Sequence, residues 1–163
     1  MELKDQLKHA LQMSGHVMKT YLEDISDDEL MLRPAEGSNH PKWQLGHLIV
    51  AENFFLAALG VEKAVELPAD FAEKHDKTKD KNDSAADFFS KEVYQDLFQK
   101  TRMATLAALE AFDVARFGES SPDSIKMLAP TLGNLFGLCS DHTLMHAGQI
   151  AVLRRKLGKP VVI

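Results

Sequence analysis

The stretch Leu132–Leu157, LGNLFGLCSDHTLMHAGQIAVLRRKL, decides how the chain is read. Its apolar residues Leu135, Leu138, Cys139, Met145, Ile150 and Leu153 return at helical spacing, so a long amphipathic helix with one inward face is expected. His142 and His146 lie one turn apart within that face, where two imidazoles can reach one metal ion. Thr131 is placed to cap the helix at its start, and Gly158 and Pro160 follow in the order that ends one. Arg154, Arg155, Lys156 and Lys159 then read as cations at the negative end of the helix dipole.

The pair alone is a weak signal, because seven histidines in 163 residues produce such a spacing by chance in roughly 0.3 cases. Context comes from His47, on a second helix expected from Pro41 to Ala58 or Leu59. The face of His47 also carries Trp43, Val50, Ala51, Phe54 and Ala58, and is again apolar. A buried neutral imidazole needs a hydrogen-bond partner, and a divalent cation satisfies three at once. His47, His142 and His146 would also leave coordination positions open, as catalytic sites do. Spacing leaves the bland alternative standing, in which His47 is an ordinary core histidine and the pair is accidental.

Around these two helices the rest of the chain reads as a bundle. From Glu2 to about Ile25 the apolar residues Leu3, Leu7, Leu11, Val17, Met18 and Tyr21 share one face, with His9 and His16 on the solvated side. Ser26 and Glu29 have capping-box spacing, so Asp27–Leu32 is expected to form a short helical turn before Pro34. Ala35–His40 is a loop, and Gly60 ends the second helix.

That second helix is apolar on a further side, where Leu45, Ile49, Leu56 and Leu59 surround Glu52; a folded-back loop or, preferentially, a second subunit in a homodimer would cover it. Val61–Asp83 is a polar crossover in which His75 is expected to be free. Ser84 is expected to cap a third long helix ending near Phe112, facing inward with Tyr94, Leu97, Phe98, Thr101, Ala104, Thr105 and Ala108. Its small residues leave space for a pocket or, preferentially, for close helix packing. Asp113–Pro130 is irregular. The expectation is a single all-α domain over residues 1–163: a four-helix bundle with a long crossover between its second and third helices, which permits parallel neighbours.

Composition narrows the classes. A formal charge of -5 and a pI near 5.8 argue against a nucleic-acid surface. One cysteine, Cys139, excludes an internal disulfide and falls on an apolar face, as an unreactive buried thiol would. No membrane span or secretory leader is expected, so the chain is read as cytoplasmic.

The segments WQLGHL, Trp43–Leu48, and HTLMHAGQIAVLRRKLG, His142–Gly158, resemble the DinB/YfiT-like superfamily of small metal-binding four-helix bundles. The order of the parts agrees over nearly the whole chain. The resemblance implies a single ligand at His47 and a pair at His142 and His146, holding a divalent transition metal, typically nickel or zinc, often in a dimer. It places Trp43 and Gln149 near the site without fixing their roles. It further implies thiol-dependent chemistry for some members, including S-transferases and an isomerase, and a hydrolase assignment for others.

Two enzyme mechanisms follow. In thiol transfer the metal lowers the pKa of a low-molecular-weight thiol cosubstrate for attack on a small electrophile. In hydrolysis it acidifies water, and a nearby general base is wanted. Glu52 lies on the other side of its helix and Asp141 points away, so no carboxylate is evident on the ligand faces; this favours thiol transfer. The third reading is a non-catalytic metal-binding or ligand-binding bundle.

Overall fold

The computed structural model describes residues 2–61 and 65–161. Four long helices, α1 (Leu3–Leu22), α2 (Pro41–Ala58), α4 (Lys91–Ala111) and α5 (Leu132–Lys156), form a four-helix bundle; a one-turn helix α3 (Phe71–Lys74) lies in the crossover. Among the described residues there is no strand, only one isolated bridge between Ser120 and Thr131. No described helix is long and apolar enough to cross a membrane.

The connections determine which helices run together. The Ser140 hydroxyl in α5 donates to the carbonyl of Ala10, and Arg154 donates to that of Tyr21, so α1 and α5 lie side by side in the same direction. Glu52 of α2 meets Arg102 and Thr105 of α4, while Phe55 and Leu59 pack with Leu109 and Phe112 further along; this pair is also parallel. Across the bundle the sense reverses, with Lys4 reaching Glu110 and Ser14 reaching Arg102. The long crossover makes the parallel α2–α4 pairing possible.

Helix ends follow local chemistry. Ser26 and Glu29 close a reciprocal capping box over the 3-10 turn Glu29–Met31. Thr131 caps α5 by accepting from the backbone N–H of Asn134. His40 caps α2: its Nδ1 accepts from the N–H of Trp43 at 3.1 Å, and its Nε2–H donates to the carbonyl of Asn82.

The third long helix starts later than the sequence pattern suggests. Ser84 precedes only a 3-10 turn, Ala85–Asp87, and α4 begins after Ser90. The intervening Phe88 is extended and packs its ring against His40 and His75, a tertiary demand that overrides the local helical preference.

Apolar packing falls into two clusters along the bundle axis. One gathers Met18, Tyr21, Ile25, Leu45, Ile49, Phe71, Tyr94 and Ile150; the other gathers Leu11, Phe55, Leu109, Phe112, Leu135, Phe136 and Cys139. Between them, at the waist, Arg102 binds Glu52 at 3.0 Å, the Ser14 and Thr143 hydroxyls and the carbonyls of Leu11 and Cys139. Thr105 donates to the other Glu52 oxygen. All four long helices contribute to this knot. Of the two covers expected for the apolar strip around Glu52, the structure supplies the loop: Leu45, Ile49 and Leu56 are fully buried within the chain, and Leu45 and Ile49 pack with α4 and the crossover. That strip gives no support to a homodimer.

Candidate metal centre

His47, His142 and His146 converge on the outer side of the α2–α5 seam, each offering a ligand nitrogen within 4.8 Å of the others. Helical geometry accounts for the pair, and the antiparallel packing of α2 against α5 brings His47 to it. His142 Nε2 and His146 Nε2 are 3.2 Å apart. Two nitrogens each about 2.1 Å from one ion stand roughly 3.0 to 3.4 Å apart in octahedral or tetrahedral geometry, so the spacing fits a shared cation.

Neighbouring side chains set the ring orientations. The fully buried Gln44 presents its amide oxygen to His146 Nδ1 at 2.9 Å, while its amide nitrogen donates to the carbonyl of Asn39. An amide oxygen only accepts, so His146 Nδ1 carries the proton and its Nε2 lone pair faces His142. Trp43 stacks flat on His47, with centroids 4.9 Å apart and planes 9° from parallel, and its indole N–H donates to the carbonyl of Asp76. Gln44 and Trp43 thus fix the orientation of two of the three rings.

All three imidazoles are held neutral. Burial is the largest cause: it lowers the pKa of His47, and it takes His142 to about 4 and His146 to about 3, with repulsion within the cluster adding to it for the latter two. Neutral nitrogens are the form a cation needs.

A cleft of about 550 Å³ opens beside the cluster, lined by His47, His142, Val50, Phe54, Ile125, Leu128, Leu138 and Met145, with His75, Asp76 and Lys77 from the crossover. Met145 and Phe54, expected in inward stripes, are 63% and 47% exposed and form its rim. The apolar faces of α2 and α5 are wider than their neighbours can cover.

His75 departs furthest from expectation. It is buried, not free, because α3 presses it onto α2: its Nδ1–H donates to the carbonyl of Phe71 and its Nε2 accepts from the Tyr94 hydroxyl at 2.8 Å. Gly46 makes this possible, since a Cβ there would lie 2.1 Å from the His75 ring. Burial lowers the His75 pKa to about 4.

Gln44, Asp76 and Lys77 are polar groups at the site that the sequence alone does not single out. Gln44 stands three residues before His47, a helical neighbour, and so was findable; Asp76 and Lys77 are placed only by the fold of the crossover. Glu52 is directed away from the histidines, as expected, and Asp141 is exposed. Gln149 is half-buried and does not line the cleft beside the cluster.

No curated protein matches the chain. Among solved structures, a conserved protein from Enterococcus faecalis superposes with a TM-score of 0.71 at 18% identity, covering 98% of this chain and 99% of that one. YfiT from Bacillus subtilis, described as a probable metal-dependent hydrolase with an unusual four-helix bundle topology, superposes with a TM-score of 0.60 at 22% identity, covering 96% and 89%. At these identities the likeness is one of fold. Residues 10–150 match the family model of the DinB superfamily, and the chain belongs to that superfamily.

Proposed function

We propose that His47, His142 and His146 bind one divalent transition metal, nickel or zinc, and that the site transfers a low-molecular-weight thiol to a small electrophile. The observation that carries the metal reading is the convergence of three neutral imidazoles, one of them with its lone pair fixed by Gln44. When bound, the cation supplies Lewis acidity that lowers the pKa of a thiol or water presented to it.

The protein's own part is positional. Gln44 and Trp43 hold two of the rings in place, and apolar side chains line the cleft beside them. Lys77 brings a positive charge close enough to influence His47 and His142, which favours an anionic nucleophile.

Hydrolysis is the second reading, because Asp76 lines the cleft. Its carboxylate accepts from the N–H and hydroxyl of Thr78, and these bonds hold its pKa below the usual carboxylate range. A weakly basic, engaged carboxylate is a poor general base at neutral pH. Thiol transfer does not require one, which keeps it first.

Elemental analysis of purified protein, beside the His47→Ala variant, tests the metal reading. About one ion per chain, lost in the variant, is expected; no uptake of nickel, zinc or manganese would leave a binding bundle as the better account. Loaded protein is then assayed with thiols and alkylating electrophiles, and separately with ester and amide substrates. Turnover confined to the second set would displace transfer in favour of hydrolysis.

A further inference from the structure

The walls of the cleft are sorted by character. His47, His142 and Lys77 line it on the polar side, while Phe54, Leu128, Leu138 and Met145 supply apolar surface, much of it open to water. Phe54, Leu128 and Met145 are 47%, 65% and 63% exposed, which is more apolar surface than a site for a wholly polar ligand would leave uncovered. The volume of about 550 Å³ lies within the range of small-molecule sites.

The charged groups are also sorted. The Asp76 carboxylate is engaged by Thr78, and His75 is engaged by Phe71 and Tyr94. Lys77 forms no salt bridge with another described residue, although the ionised Asp76 carboxylate, hydrogen-bonded to Thr78, is within electrostatic reach of it. An ammonium without a salt bridge, within electrostatic reach of His47 and His142 and next to an apolar wall, complements one kind of ligand. We infer that the cleft binds a small amphiphilic anion, with its charged head between the histidines and Lys77 and its hydrocarbon chain along Phe54, Leu138 and Met145.

This deepens the metal reading and rests on it for the head group; the chain contacts do not depend on the metal. The chain's single tryptophan, Trp43, is stacked on His47 and serves as the reporter. Its fluorescence is titrated with butanoate, hexanoate, octanoate and octanamide, in chelated and zinc-loaded protein. Affinity should rise by up to about fourfold per added methylene. Octanoate should bind loaded protein about tenfold more tightly than octanamide, a charge-assisted contact being worth about that much.

Lys77→Ala should narrow the octanoate–octanamide gap, and Phe54→Ser should flatten the chain-length dependence. Both positions are exposed, so the variants keep the fold. Equal affinity along the series, or octanamide binding as well as octanoate in both forms, overturns the inference. If zinc is not taken up but chelated protein shows the chain-length and Lys77 effects, the metal reading fails and the inference stands. If zinc binds and the series is flat, the inference alone fails.

Discussion

Two polar centres sit at the waist of this bundle, on opposite sides of the α2–α5 seam, and they are built on opposite terms. In the Arg102–Glu52 knot both terminal guanidinium nitrogens and both carboxylate oxygens have partners, drawn from all four long helices; only Arg102 Nε lacks one among the described residues. In the histidine cluster, one ring is tied to Gln44, one is stacked on Trp43, and the ligand nitrogens converge beside an open cleft. A saturated buried centre offers no valence to a ligand and fixes helix positions. A centre oriented but not saturated fixes helix positions less and can accept something else.

The contrast is broken most severely from the knot. Arg102→Met strands Glu52 in the core and should cost about 3–5 kcal/mol in urea unfolding, whereas adding Glu52→Leu should recover most of that loss. A small effect of the single variant would mean that the waist is wetter than its burial implies.

Next in size is His75, buried like the knot though close to the cleft. It titrates at about 4 when folded, against about 6.5 when unfolded, so the stability it contributes is complete above pH 6.5 and is lost as the pH falls toward 4. The window is worth about 3 kcal/mol at full burial. Unfolding free energies of metal-free wild type and His75→Gln, measured from pH 7 to 4, should show the wild type falling more steeply. Parallel profiles would remove His75 from the acid response. Gly46→Ala tests the same contact sterically, with an expected loss of about 1–3 kcal/mol in chemical denaturation.

The cluster should respond in the opposite sense. His142→Ala is expected to change metal-free stability by about 1 kcal/mol or less and to abolish metal uptake in elemental analysis, because the ring is only half-buried and is not knotted to the other helices. Gln44→Leu should weaken metal affinity about 10–100-fold in competition with a chelator while leaving the stoichiometry intact. A His142→Ala variant that unfolds would make the two centres alike.

Much of this was legible in the chain. Periodicity located α1, α2 and α5, and cap chemistry placed Ser26, Thr131 and Pro41, because those signals act over a few residues. The three histidines could be assigned to faces, since a face follows from spacing; their meeting required helix packing. Glu52 was correctly set apart from them, yet Arg102 as its partner lay outside any local pattern. His75 was misread for the same reason: a polar neighbourhood in sequence says nothing about a glycine on another helix that opens a slot for the ring. The start of α4 was misplaced because Phe88 serves the crossover's packing before its own helical preference.

The parallel pairing of α1 with α5 also orders events in time. Arg102 draws its acceptors from α1, α2 and α5, and the apolar partners of Leu11 include Leu135 and Phe136. While α5 is still on the ribosome, a nascent chain holding α1 to α4 lacks the α5 acceptors of Arg102 and has an uncovered face on α1. Folding is therefore expected to complete late, after α5 emerges, and the partly made protein should depend on chaperones until then.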